Sequence, residues 1–143
     1  MNWKNEAIEK LESYGAMRQS VKSIHAELKL LELEAKALSS PEYGSPLGGY
    51  NKRSKEDRLL DNITRRETLL LALEQANLWV AITDEALACL HPQDKQLLDI
   101  MYIKGGWGSV AELSEMLGIE RSSVYRRRDD ALRKFTIALY GQS

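Results

Sequence analysis

The basic residues of segment 119–136 are the group whose types and spacing point most directly to chemistry. The segment holds six Lys or Arg residues against three Asp or Glu residues, a net charge of +3 in a chain whose formal net charge is -1. Positive charge concentrated in this way is typical of a surface that binds the phosphate backbone of nucleic acid. A basic amphipathic helix is also commonly a solvated face, so the flanking sequence has to decide between the two interpretations.

Individual side chains of this segment suit different contacts with duplex DNA. Arg126 can donate two hydrogen bonds to a guanine edge, and Tyr125 and Ser122 can contact base edges or phosphate. Arg121 and Lys134 suit phosphate contacts, which set register without identifying bases. Ser109, with the free N–H groups of its helix, can hold a phosphate. The complete predicted set of DNA-binding residues is Ser109, Arg121, Ser122, Ser123, Tyr125, Arg126, Arg127, Arg128, Arg133 and Lys134.

Two adjacent arginines, Arg127 and Arg128, are harder to assign. One of them must lie close to the apolar stripe of the helix, because successive residues cover neighbouring parts of its circumference. That arginine can extend its charged end to solvent or pair with an acid such as Asp99 or Glu112.

A short helix, a sharp turn and a longer helix are predicted to position these side chains. Ser109 is the expected N-cap of the first helix, with Glu112 completing a capping box, and this helix runs to Leu117. Gly118 is the expected left-handed stop, and Ile119 then enters the core. The second helix covers about 121–139; Val124, Ala131 and Phe135 are expected to point inward, with Leu132 and Leu139 close by. This order is typical of a helix-turn-helix, whose second helix enters the major groove.

Residues 87–139 resemble region 4 of the housekeeping-type bacterial sigma factors. The shared features are Leu90–Pro92 at a helix start, Leu97–Leu98 within that helix, Gly118–Ile119 at the turn, and Arg121 and Ala131–Lys134 in the recognition helix. The resemblance implies recognition of a promoter element through the major groove by Arg121, Ser122, Tyr125 and Arg126. Ser122 and Tyr125 replace more strongly charged residues of that family, which implies a different target sequence. Arg127 replaces a residue that is usually apolar.

Two long helices are predicted before this domain. The first covers about 2–38, where apolar residues alternate at three- and four-residue spacing: Tyr14, Met17, Val21, Ile24, Leu28, Leu31, Ala35 and Leu38. Residues 39–54 are predicted to form a loop, with Ser54 as the N-cap of a second helix over about 55–90. The expected stripe of that helix is Leu59, Ile63, Leu70, Leu73, Val80 and Leu87, broadened by Leu60, Leu69, Ala76 and Trp79. The two helices can form an intramolecular hairpin or pair with a second copy.

The predicted fold is therefore all-α, with a helical hairpin or coiled coil over 1–90 and a helix-turn-helix domain over 91–143. Between them, Pro92 is expected to open a helix over about 93–104. No segment has the pattern of a β-strand. The layout resembles small phage and prophage regulators of the ArpU and RinA type, which implies activation of late genes.

Composition excludes several other classes of protein. The single cysteine, Cys89, and the two histidines leave no cysteine framework or His-rich metal site. We find no nucleophile–base set and no phosphate-binding glycine loop, so no enzyme activity, cofactor or metal is predicted. The N-terminus lacks the pattern of a signal peptide, and the apolar runs are too short to cross a membrane. A cytoplasmic protein of a bacterial host cell is expected.

The function expected from these features is sequence-specific binding of double-stranded DNA by a phage or prophage transcription regulator that acts with RNA polymerase. A homodimer formed through the N-terminal helices would suit two half-sites. Two other interpretations remain open. One is a DNA-packaging protein similar to a small terminase subunit, and the other is a module that binds polymerase or an anti-sigma partner without touching DNA.

Overall fold

The computed structural model describes residues 2–40, 52–106 and 108–141, and within these ranges the chain is helical with no β-strand. The prediction of an all-α protein is therefore confirmed. The helices of the described residues are α1 (Trp3–Ser39), α2 (Lys52–Ala88), α3 (Pro92–Leu98), a π-helical segment (Asp99–Lys104), α4 (Ser109–Leu117) and α5 (Arg121–Tyr140). None of these helices is both long and apolar enough to span a membrane.

The two long helices end and begin close to the predicted loop at 39–54. Helix α1 ends at Ser39, two residues before Pro41, because proline disfavours helical geometry in the residue that precedes it. Helix α2 begins at Lys52, so Ser54 lies inside the helix and its prediction as an N-cap was wrong. The residues around Ser54 are mostly good helix formers, which allows the helix to start earlier. The rest of the predicted loop, 41–51, lies outside the described residues.

Helix α3 starts where the sequence predicted and changes its geometry before it ends. Pro92 occupies the first turn, and Nδ1 of His91 accepts a hydrogen bond from the N–H of Gln93 at 3.3 Å. The predicted helix over 93–104 continues to Lys104, but its last six residues are π-helical. Gly105 then ends it with a φ of +65°, a conformation that glycine adopts without steric cost.

Packing divides the chain into two compact units, Met1–Gln19 with Leu78–Ser143 (unit 1) and Ser20–Asn77 (unit 2). This grouping differs from the boundary predicted at residue 90, because Leu11 of α1 and Leu87 of α2 belong to the same core as Phe135 of α5. The buried core of unit 1 is formed by Ala7, Leu11, Tyr14, Ala86, Leu87, Leu90, Leu97, Leu98, Leu113, Val124, Ala131, Leu132 and Phe135.

Unit 2 contains the second part of α1 and the first part of α2, which run antiparallel. Asn62 donates a hydrogen bond to the carbonyl of Leu31 at 2.8 Å, and its own side-chain oxygen accepts one from Nε of Arg66 at 2.8 Å. Arg65 pairs with Glu27 at 3.0 Å. The interior of this unit therefore includes polar side chains.

The inward stripe of α2 in unit 2 agrees with the prediction at Leu69 and Ala76 and differs from it at other positions. Its buried residues are Asn62, Leu69 and Ala76, whereas Ile63 is 46% exposed and Leu70 is 54% exposed. The assignment of Ile63 and Leu70 to the stripe was therefore wrong. Asn62 can be buried because its oxygen accepts from the half-buried Arg66 and its nitrogen donates to the carbonyl of Leu31. Polarity alone therefore did not identify the outer face.

Candidate nucleic-acid interface

The inner face of α5 fixes the rotation of the whole helix. Val124, Ala131, Leu132 and Phe135 are fully buried in the core of unit 1, as their three- and four-residue spacing predicted. Thr136 is also buried, and its hydroxyl donates to the carbonyl of Leu132 at 2.8 Å. The opposite face is therefore held toward solvent.

The turn between α4 and α5 is fixed by three main-chain and side-chain bonds. Gly118 has a φ of +64°, and its N–H bonds to the carbonyl of Glu115 at 3.3 Å, which confirms the predicted left-handed stop. The hydroxyl of Ser114 donates to the carbonyl of Ile119 at 2.6 Å, and the N–H of Ile119 donates to the carbonyl of Ser114 at 3.2 Å. The role of Ser114 was not predicted, although a serine one turn before the C′ glycine was a visible signal.

The start of α4 differs from its predicted capping box. Gly108 is the N-cap, with a φ of +82°, and Ser109 is the first helical residue. No side chain caps this end, so the predictions of Ser109 as N-cap and of Glu112 as its capping partner were wrong. The carbonyl of Gly108 accepts the N–H of Glu112 at 2.9 Å, and glycine adopts the required left-handed conformation in place of a side-chain cap.

Four predicted DNA-contact residues form one exposed row at the N-terminal end of α5, which we call the outer row: Arg121, Ser122, Tyr125 and Arg126. Their spacing of three and four residues places them next to one another on the helix surface. Within the described residues, Arg121 and Arg126 make no ion pair, so their charges are available to a ligand. Ser123 lies beside the row and is half-buried.

The two adjacent arginines have distinct environments. Arg128 is the one near the buried face: its side chain is 24% exposed, and its Nη2 lies 2.9 Å from Oδ1 of Asp129. The acid that pairs with Arg128 is therefore Asp129, in place of the suggested Asp99 or Glu112, and Asp99 pairs with Lys104 at 3.5 Å. Arg127 is exposed and makes no ion pair within the described residues.

The last two predicted basic residues already have partners in unit 1. Nζ of Lys134 lies 3.1 Å from Oδ2 of Asp94 in α3. The guanidinium of Arg133 lies 6.0 Å from the ring centre of Trp3 in α1, at the outer limit of a cation–π contact. Both side chains remain exposed, but contact with DNA would compete with these interactions.

Asp129 introduces a negative charge next to the outer row. Partial burial on its own would raise the pKa of its carboxyl, but hydrogen bonds and positive charge from Lys4 and Arg128 outweigh that effect and hold the pKa below its ordinary value. Nearby, burial raises the pKa of the Tyr102 phenol, although Arg128 opposes this shift. Asp129 is therefore an anion at neutral pH, and its charge is balanced by two cations.

Among the described residues, no group of three or more His, Cys, Asp or Glu side chains is arranged to hold a metal ion.

Comparison of the chain with known protein families, with curated proteins and with solved structures found no match. The candidate site is thus defined by its own geometry: a short helix, a fixed turn and a longer helix whose exposed end carries unpaired arginines.

Proposed function

We propose that this protein is a sequence-specific transcription regulator that binds duplex DNA with α4, the turn at Gly118 and α5 acting as a helix-turn-helix. The observation that carries the proposal is the outer row: two arginines without ion pairs lie on the exposed side of a helix whose opposite side is fully buried. A helix held in this way can present its N-terminal side chains to the major groove.

Each residue of the interface has a distinct role in the proposal. Arg126 donates two hydrogen bonds to a guanine, and Ser122 and Tyr125 contact neighbouring base edges. Arg121 and Arg127 bind phosphates and set the register of α5 on the duplex. Because such contacts release counterions, affinity is expected to fall steeply as the salt concentration rises.

Regulation of transcription is proposed from the resemblance of residues 87–139 to sigma factor region 4. In this mechanism α5 binds beside a promoter while another surface contacts RNA polymerase. The layout of two long helices before this domain supports the narrower proposal of a phage or prophage late-gene activator.

The test is selection of bound duplexes from a random-sequence DNA library at near-physiological salt. The wild type should enrich one motif, and Arg126→Ala should relax the preference at one base pair, with a loss of about 1–3 kcal/mol on the best sequence. The matched control is Arg58→Ala, which removes the same charge from an exposed position of unit 2 and should leave binding unchanged. Equal loss for Arg126→Ala on all sequences would make it a phosphate contact instead.

Other outcomes would support other functions. Binding without an enriched motif would favour a packaging protein, particularly if the protein forms a large ring in solution. Absence of binding even at low salt, together with a polymerase interaction that survives loss of Arg121, Tyr125 and Arg126, would favour a protein-interaction module.

Self-association through unit 2 is the second part of the proposal. Several large apolar side chains of this unit are about half to two-thirds exposed: Leu30, Leu33, Leu60, Ile63, Leu70 and Leu71. A second copy would cover them and would place two α5 helices on two half-sites. Sedimentation equilibrium should show a dimer that Leu70→Ser weakens by about tenfold or more, since two leucines per dimer lose burial. A wild type that stays monomeric at all concentrations would contradict this part alone.

A further inference from the structure

Asp129 is a carboxylate on the side of α5 proposed to face DNA, and its side chain is 41% exposed. An anion in this position repels phosphates, so Asp129 is not expected to contact the DNA backbone itself. Its role has to be inferred from its contacts within the protein. Its two oxygens are bound by two different cations. Oδ2 lies 3.0 Å from Nζ of Lys4 in α1, and Oδ1 lies 2.9 Å from Nη2 and 3.0 Å from Nε of Arg128.

The same arginine also contacts a residue of the outer row. The guanidinium carbon of Arg128 lies 5.0 Å from the ring centre of Tyr125, within the range of a cation–π contact. Tyr125 and Asp129 are four residues apart and share one side of the helix. Lys4, Asp129, Arg128 and Tyr125 therefore form a continuous chain of contacts that ends at a residue proposed to touch bases.

We propose that Asp129 is a positioning residue for DNA recognition: it holds Arg128 against the Tyr125 ring, and Lys4 holds Asp129. This inference rests on the proposed function. The network restricts the rotamers of Tyr125 before DNA arrives, so less side-chain entropy is lost on binding. Arg128 and Lys4 make ion pairs within the protein, whereas Arg121 and Arg126 make none among the described residues and can bind DNA.

The neighbouring acid, Asp130, provides a matched control. It is exposed, makes no ion pair within the described residues and differs from Asp129 by one position on the same helix. Asp129→Asn and Asp130→Asn each remove one negative charge, so both should raise general affinity for DNA by a similar factor. Only Asp129→Asn weakens the charge-assisted bond that holds Arg128 against Tyr125.

The experiment repeats the selection from the random-sequence duplex library with both variants and compares each motif with that of the wild type. Asp129→Asn should lower the ratio of affinities for the selected and a scrambled duplex by about fivefold to tenfold, the equivalent of one weakened base contact. Asp130→Asn should leave this ratio unchanged. Equal ratios in the two variants would overturn the inference while the proposed function stands, and failure of the wild type to enrich any motif would overturn both.

A double-mutant cycle separates positioning from a general structural role. In a Tyr125→Ala background, Asp129→Asn should cause no further loss of specificity, because the residue through which it acts has been removed. Additive losses would overturn the inference. If circular dichroism shows that Asp129→Asn does not fold, Lys4→Met replaces it, since this variant keeps the Arg128–Asp129 bond. It should lower the ratio by about threefold, and an unchanged ratio would then be the contradicting result.

Discussion

Unit 1 and unit 2 differ in the polarity of the side chains that their helices bury. In unit 1, Phe135, Leu132 and Leu11 are fully buried in an apolar core. In unit 2, Asn62 is buried beside Leu69 and Ala76 and is bonded to Arg66, while Leu70 and Leu71 are more than half exposed. An apolar core contributes stability and rigid placement, whereas a buried polar side chain contributes less stability but restricts which helix registers are possible.

The difference in buried side chains is consistent with the function proposed for each unit. A helix that contacts base edges must be fixed to within a fraction of an ångström, which requires close packing on its inner face. Helices that pair with a second copy need an apolar surface that remains uncovered in the single chain. Under the proposed function, the exposed leucines of unit 2 and the buried leucines of unit 1 would meet different requirements.

The largest expected effect in unit 1 is that of truncating its one buried phenylalanine. Phe135→Ala should lower the free energy of unfolding by about 3–5 kcal/mol, because it leaves a cavity among fully buried neighbours. Urea unfolding followed by circular dichroism measures this loss. Ile137→Ala, two residues away and 45% exposed, is the matched control and should change stability by less than about 0.5 kcal/mol. Similar losses in the two variants would contradict a close-packed inner face.

The next effect concerns the polar interior of unit 2. Asn62→Ala should cost about 1–3 kcal/mol, because it removes the acceptor of the Arg66 hydrogen bond in a buried position. Asn62→Leu should cost less, or even stabilise the pair of helices, since an apolar side chain of similar volume needs no partner. Thermal unfolding measures both variants. A lower melting temperature for Asn62→Leu than for Asn62→Ala would contradict the view that the buried amide adds little stability to unit 2.

A smaller effect is expected at the turn between α4 and α5. Gly118→Ala should cost about 1–2 kcal/mol, because the φ of +64° brings a Cβ close to the following carbonyl. Gly118→Asn should cost less, since asparagine enters this conformation more readily. Chemical unfolding of the two variants checks the order, and the reverse order would mean that the turn adopts another conformation in solution.

The smallest effect is a pH dependence in unit 1. Because the pKa of Asp129 is lower in the folded protein than in the unfolded chain, the stability it contributes is present above the unfolded value and is lost as the pH falls through the folded value. Asp129→Asn should therefore reduce the loss of stability below about pH 4. The change is small because water screens this partly exposed group. The measurement is the urea midpoint of unfolding as a function of pH. Identical curves for the wild type and the variant would contradict the lowered pKa of Asp129.

Local sequence patterns predicted the parts of the site that depend on local geometry. The spacing of Val124, Ala131 and Phe135 gave the inner face of α5, and Gly118 gave the left-handed turn. These features depend on helical periodicity and on the conformational freedom of glycine, both of which act within a few residues.

Features that depend on distant partners were not predictable in the same way. Lys134 was predicted to contact phosphate and Arg128 was included in the DNA-binding set, but Asp94 and Asp129 already bind them. Similarly, the exposure of Ile63 and the burial of Asn62 depend on a hydrogen bond to Leu31, which lies on another helix. A charge or an apolar residue shows what a helix face can do, whereas only the tertiary arrangement shows which partner it has.

The π-helical segment Asp99–Lys104 has a consequence for the length of the chain. Adding one residue to an α-helix rotates all following residues by about 100°, which would turn a buried face outward. A π turn accommodates one extra residue without that rotation. Deleting one residue within 99–104 is therefore expected to leave a regular α-helix in which the residues after the deletion keep their orientation relative to Leu97 and Leu98. This segment is a place where an evolving sequence can gain or lose a codon while α5 keeps its position.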